Sequence, residues 1–258
     1  MARLALDEAA WSGPWRSRST AEKVLLSGGM LLLAVTARSV WVAGGLLVVV
    51  VALALLMARV PWRTYLLALA GPLTFALLGA LAIVVTFSAA PGADDIVRLG
   101  PGALTRSGLM TATLVVVRST AGAAAMLLLA CTTSLLSIIE ALRRVHVPDA
   151  IVDIAALMYR MLFALLDSVG AIREAQTARL GYATAGAARR SFGMLAAATL
   201  RRSWEQSRRL EEGLAGRGSS GSLRSLTVDH PVDRRFLALT GMLLLGLAGW
   251  SILMGGAR

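Results

Sequence analysis

Residues 24–58 read VLLSGGMLLLAVTARSVWVAGGLLVVVVALALLMA, a stretch in which Arg38 is the single charge. An apolar helix crosses a hydrocarbon core of ~30 Å with about 20 residues, so one straight helix of this length would overshoot. The stretch therefore predicts a hairpin: a first span before Arg38, a turn around it, and a second span ending near Arg59-Val-Pro-Trp-Arg63. Working outward, Tyr65 to Ala93 carries no charge and predicts a third span, Ala112 to Leu135 a fourth, and Phe236 to Met254 a last. The Gly/Pro-rich segment PGADDIVRLGPGALTRSG, residues 91–108, predicts a loop with one interfacial turn.

Composition points the same way. Of 258 residues 57% are hydrophobic, above the roughly 45–50% usual for soluble domains. The expected fold class is an all-α membrane protein with about five transmembrane helices. Cys131 is the single cysteine and lies in an apolar run, so neither a disulfide framework nor a thiolate metal cluster can be built. The acids Asp7, Glu8 and Glu22 stand among the bases of the N-terminal segment, which is not the layout of a cleaved signal peptide.

The net charge of +11 could suggest nucleic acid, but the bases flank or separate apolar spans, and no nucleic-acid partner is expected. That placement follows the positive-inside rule. With the N-terminus in the cytoplasm, Arg3, Arg16, Arg18, Lys23, Arg59 and Arg63 fall inside, and Arg38, Asp94, Asp95, Arg98 and Arg106 outside. Residues 134–235, also inside, hold fifteen of the twenty-six basic residues. Arg118 is the one charge within a predicted span. An intramembrane charge marks a functional hypothesis by default, whereas a long side chain near the outer helix end can snorkel to the interface; the position favours snorkelling.

Residues 134–235 are too long for an unstructured connection and read as helices. SLLSIIEALRRVHVP (134–148) stops at Pro148. A helix over 149–182 follows, with Asp153, Arg160 and Asp167 every seven residues on one face, which suits the membrane interface or a protein groove. Near its end Ser168, Ile172, Ala175 and Arg179 share a stripe. A break containing Gly181, Gly186, Arg189 and Arg190 precedes a third helix, about Phe192 to Ala215, where Ser207, Leu210, Leu214 and Arg217 share another. Two helices thus finish on an arginine followed by a glycine, Gly181 and Gly218, with small residues (Ala178, Ala215) beside the arginine. One reading is a docking end: small residues allow close approach, glycine supplies a left-handed corner, and the planar guanidinium suits a partner carboxylate. The other is that each arginine only complements the helix macrodipole, worth ~0.3–1 kcal/mol.

GLAGRGSSG is not a phosphate-binding loop. Ser219 stands where G-x-x-x-x-G-K-[ST] needs lysine, and the segment ends a helix instead of beginning one. His146 and His230 lack metal-ligand spacing and suit caps or loops, and no paired carboxylates lie in the spans. Non-catalytic transduction or scaffolding is what remains.

Four stretches resemble the cobalt/nickel-type (CbiQ) T components of energy-coupling factor transporters: LDEAAWSGPWRSRSTAEKVLL (6–26), ALRRVHVPDAIVDIAALMYRMLFALLD (141–167, with Pro148 and Tyr159-Arg160), EAQTARLGY (174–182) and EEGLAGRGSSG (211–221). The last two stand where that family has two Ala-Arg-Gly motifs, here departing as Ala178-Arg179-Leu180 with Gly181 one place late, and Gly216-Arg217-Gly218 with Ala215 one place early. The resemblance implies a cytoplasmic N-terminal segment (1–23), transmembrane helices 1–4 (24–135), cytoplasmic or interfacial coupling helices (136–235), two to three of them long, and a C-terminal transmembrane helix (236–258). It implies a bacterial inner-membrane protein that is not an enzyme and binds no metal or cofactor. Two ABC-type ATPases would receive Arg179 and Arg217, and a separate substrate-binding membrane subunit (the S component) would respond. Vitamin-type T components, biotin for example, a lipid-metabolism enzyme and a plain lipid-bound scaffold are the alternatives.

Overall fold

The computed structural model describes residues 13–87, 95–99, 102–218 and 233–255. Asp7, Glu8, Asp94, Ser219 and His230 lie outside them. One 3-10 turn at Pro14–Ser17 precedes α1 (Thr20–Thr36), α2 (Val40–Ala52, continued by a π-type turn at Leu53–Met57) and α3 (Trp62–Val84). Three short strands follow, β1 (Val85–Phe87), β2 (Asp95–Leu99) and β3 (Gly102–Thr105). The remaining helices are α4 (Arg106–Thr132), α5 (Leu135–Arg144), α6 (Asp149–Ala178), α7 (Ala185–Gly216) and α8 (Arg234–Gly255). The chain divides into two compact units, Met1–Ile138 with Val228–Arg258, and Ile139–Thr227.

The first unit is a bundle built for lipid. Val40–Met57, Trp62–Val84, Arg106–Thr132 and Arg234–Met254 are long and apolar enough to cross a membrane. The first predicted span, α1, has 17 residues, about 25 Å of helix, and packs against α2, α4 and α8. Leu67, Phe75 and Leu78 of α3 and Met242, Leu245 and Ile252 of α8 are exposed. Patches of that extent are not tolerated in water and are the ordinary outer surface of a membrane protein. This is a multi-pass, all-α membrane protein.

α4 is the centre of the bundle and touches α1, α2 and α3. Its inward face is mostly small: Ala112, Thr120, Ala121, Ala124 and Ala125, with Leu128 and Cys131. Lipid tails are as apolar as leucine, so helices associate in hydrocarbon through close backbone approach and interhelical hydrogen bonds. Both are present. A Cβ on Gly122 would lie 3.2 Å from Leu31 Cδ1, and the buried Tyr65 hydroxyl donates to the Ala124 carbonyl at 2.8 Å. α8 closes the bundle by seating Leu244 and Trp250 over Gly29 and Gly45, where a Cβ would collide with either side chain.

At one end of this unit the N-terminal stretch clamps the start of α8. Asp233 caps that helix, its carboxylate accepting from the Arg235 N–H at 3.0 Å. The buried Glu22 carboxylate accepts the N–H of Asp233. Arg18 approaches the Asp233 carboxylate at 3.5 Å and lies 4.3 Å over the Phe236 ring, which Trp15 meets edge-on at 5.6 Å. Next to them Lys23 Nζ donates to the Thr132 carbonyl at the end of α4, 2.9 Å away.

Two boundaries differ from the sequence expectation. The third span was expected to reach Ala93, but α3 ends at Val84 and Val85–Phe87 is extended; its 23 residues already complete a crossing, and β-branched Val85 and Thr86 favour a strand. Residues 91–108 were expected to form a loop, yet β2 and β3 occupy 95–99 and 102–105, and α4 begins at Arg106. The strands form an antiparallel sheet ordered β1-β3-β2, with Val85 paired to Leu104 and Leu99 to Gly102. Ile96, Val97, Leu104 and Thr105 supplied strand propensity between the glycines and prolines.

Two substitutions test this packing. Glu22→Ala leaves the Asp233 N–H uncapped and is expected to cost about 1–3 kcal/mol. Ala125→Leu overpacks α4 and is expected to cost about 1–3 kcal/mol. Both should lower the melting temperature in detergent, whereas Leu67→Ala on the lipid-facing side of α3 should stay within about 0.5 kcal/mol of the parent.

Candidate functional site

In the second unit α6 and α7 form a helical hairpin joined over residues 179–184. Gln206 Nε2 of α7 lies 2.8 Å from Met161 Sδ of α6, and the Gln176 amide donates to the Ser191 carbonyl at 3.1 Å. α5 attaches through Arg143, which hydrogen-bonds the buried Asp153 and lies 3.7 Å from Asp149. Asp153, expected to share one face with Arg160 and Asp167, is buried against Arg143 of α5, whereas those two are exposed. The exposed side chains of α6 include Ile151, Ile154, Met158, Leu162 and Leu166 at helical spacing. On α7, Phe192, Leu200 and Trp204 are exposed.

The two arginines occupy equivalent backbone positions. Arg179 is the C-cap of α6, at φ −94° and ψ 19°. Arg217 is the C-cap of α7, at φ −96° and ψ 6°. In each case the next residue is left-handed, Leu180 at φ 58° and Gly218 at φ 64°. At the first end the Gly181 N–H donates to the Gln176 carbonyl at 2.8 Å and the Leu180 N–H to that of Thr177 at 3.0 Å, the paired bonds of a Schellman cap. At the second, the Gly218 N–H donates to the Ala215 carbonyl at 3.1 Å. Ala178, Arg179, Ala215, Gly216 and Arg217 are all exposed. Among the described residues both arginines are exposed; Arg217 stands between Gly216 and Gly218, whereas Arg179 stands between Ala178 and the exposed Leu180. The ends are far apart: α7 starts beside the first and finishes at the second, and Ser191 to Arg217 is about 40 Å of helix.

Several sequence expectations change here. Glycine was expected to supply the left-handed residue at both ends; at the first, Leu180 supplies it, and Gly181 is needed for space. A Cβ on Gly181 would lie 2.6 Å from Ser191 Oγ and 2.8 Å from the Gln176 carbonyl oxygen. The expected stripes are only partly available, because Ser168 is buried and Ile172, Leu210 and Leu214 are half-buried. The third helix begins at Ala185, not near Phe192, so Gly186, Arg189 and Arg190 lie inside it. Thr184 provides the start that was overlooked, its hydroxyl accepting the Ala187 N–H at 3.2 Å, as an N-cap does. Gln176, Tyr182 and Ser191, which tie the first corner together, escaped sequence reasoning; no periodicity marks them.

The remaining candidates lie elsewhere. Gly213 is within α7, away from any strand–loop–helix turn. His146 sits left-handed at φ 63° in the turn after α5. Arg118 lies near the middle of the 27-residue α4 and is half-buried, deeper than the outer helix end at which it was expected. Among the described residues no three His, Cys, Asp or Glu side chains gather as metal ligands.

Residues 12–227 match the family described as CbiQ, cobalt transport protein. The cobalt transport protein CbiQ of Rhodobacter capsulatus is 37% identical over 227 residues, spanning 88% of this chain and 89% of that protein. The cobalt transport protein CbiQ of Salmonella typhimurium is 31% identical over 194 residues, 74% of this chain and 86% of that one. A fused cobalt transport protein, CbiMQ, of Methanocorpusculum labreanum is 32% identical over 203 residues, 78% of this chain but 34% of that longer one.

The two glycines should respond differently to alanine. Gly181→Ala forces a backbone collision and is expected to lower the melting temperature by an amount equivalent to about 1–3 kcal/mol. Gly218→Ala meets no neighbour and should cost only the left-handed strain, about 1 kcal/mol. Calorimetry of the purified variants in one detergent ranks them.

Proposed function

The chain belongs to the family of CbiQ cobalt transport proteins, and on that premise we propose that it is the transmembrane coupling subunit, the T component, of an energy-coupling factor importer for cobalt or nickel. Its first unit sits in the bacterial inner membrane with the N-terminus in the cytoplasm. Arg179 and Arg217 each dock in a surface groove of one of two ABC-type ATPases and pair there with a carboxylate. Closing and opening of the ATPase dimer moves α6 and α7, and their exposed apolar faces pass that movement to a separate substrate-binding membrane subunit. The chain itself is non-catalytic, and the metal is cargo handled by that other subunit.

The observation that carries this reading is the duplicated end: two exposed arginines in the same cap conformation, each preceded by a small residue, Ala178 or Gly216, about 40 Å of helix apart. One groove cannot receive both, whereas an ATPase pair offers two. An arginine serving only its own macrodipole would need no such clearance. The names of the relatives support cobalt as the cargo, and the fused CbiMQ relative, of which the match covers 34%, supports a second protein part working beside this one.

Magnitude separates docking from the macrodipole. Losing one partner of a desolvated charge pair costs ~3–5 kcal/mol, at least a hundredfold in affinity at ~1.4 kcal/mol per decade, against ~0.3–1 kcal/mol for the helix end. Arg179→Glu and Arg217→Glu should each keep the chain folded and membrane-inserted while abolishing cobalt uptake and greatly reducing the ATPase recovered with the tagged chain. Variants that retain both would overturn the proposal, as would a parent chain that recovers no ATPase under gentle extraction.

A further inference from the structure

The two docking ends share a backbone conformation but differ in what holds them. Around Arg179 the corner is laced to the start of α7 from several sides. Ser191 Oγ donates to the Gly181 carbonyl at 2.8 Å. The Gln176 amide donates to the Ser191 carbonyl at 3.1 Å, and the Tyr182 hydroxyl donates to the Gln176 side-chain oxygen at 2.7 Å. Ser191 is buried, and Gln176, Gly181 and Tyr182 are half-buried. Leu180 is kept left-handed although it is not glycine, a conformation that costs roughly 1–2 kcal/mol and persists where surroundings over-determine it. Around Arg217 the described residues offer no counterpart. Gly218 takes the left-handed position without a side chain, a Cβ there would meet open space, and the bonds closing the turn come from its own backbone.

We propose that Gln176, Tyr182 and Ser191 are positioning residues that hold the Arg179 corner in its docking conformation before any partner arrives, while the Arg217 corner, closed by its own backbone bonds, is held more loosely and is fixed further by the groove that receives it. The inference rests on the coupling reading and deepens it, because the two ends then dock unequally even when the two ATPases are identical polypeptides. A preformed corner binds without an ordering cost, whereas a corner that orders on contact loses part of its interaction free energy to that ordering. The first end is the standing attachment, and the second is the one that engages and releases.

Amide hydrogen exchange and ATPase titration, on the full-length chain in lipid nanodiscs with the ATPase recovered alongside it, separate the possibilities. In the chain alone the amides of Leu180 and Gly181 should be well protected and that of Gly218, held by one backbone bond to Ala215, should exchange faster; adding the ATPase should slow Gly218 and leave Gly181 unchanged. Ser191→Ala and Gln176→Ala should speed exchange at Gly181 and weaken ATPase binding about tenfold, an amount equal to one hydrogen bond's net contribution, without changing exchange at Gly218. Ser191→Thr, which keeps the hydroxyl, should restore both readings. The inference is overturned if Gly181 and Gly218 exchange alike in the chain alone, or if Ser191→Ala loosens Gly181 while ATPase affinity holds. A parent chain that binds no ATPase sinks the coupling reading itself and this inference with it, an outcome distinct from the other two because no variant is needed to see it.

Discussion

Hydrocarbon offers no solvent-driven force between helices, and that constraint shapes the membrane unit. What remains is contact, and contact requires backbones to approach. α4 provides for it with Ala121, Gly122, Ala124 and Ala125 on the face turned to α1, α2 and α3. The Tyr65 hydroxyl on the Ala124 carbonyl is the polar counterpart, a fully buried donor that would otherwise face lipid unsatisfied. The same logic recurs at lower intensity where Gly29 and Gly45 admit Leu244 and Trp250 of α8.

The N-terminal stretch has a structural duty that its charge count concealed. Glu22 and Arg18 hold Asp233, the residue that precedes α8. Lys23, on the Thr132 carbonyl, fixes α1 to the end of α4 nearby. The bases of this stretch thus take part in packing.

Much of this was legible from residues alone. The break around Arg38, the span beginning near Phe236 and the interruption between α5 and α6 just before Pro148 follow from hydropathy, a lone charge and a missing donor, all local signals. The arginine ends were legible too, because a helix terminus, a small neighbour and a guanidinium lie within four positions of one another. What escaped was non-local. Asp153 meets Arg143 from another helix, Ser191 meets Gly181 ten positions away, and β3 stands between β1 and β2 although glycine and proline dominate its surroundings. The role of Gly181 could not be read from its neighbours, since what excludes a side chain there is Ser191 and the backbone of Gln176.

α7 runs 32 residues without proline, so it behaves as a rod of set length and also of set phase. Each residue of helix advances ~1.5 Å and turns ~100°. Deleting one residue between Ser191 and Arg217 would barely shorten the rod, yet it would swing the terminal guanidinium round the axis and out of the plane in which it had pointed. Removing seven would shift it by about 10 Å while nearly restoring its bearing. Under the proposed docking of Arg217, sequence drift in this helix is far freer in composition than in residue number, and any change of length is expected to come in near-whole pairs of turns.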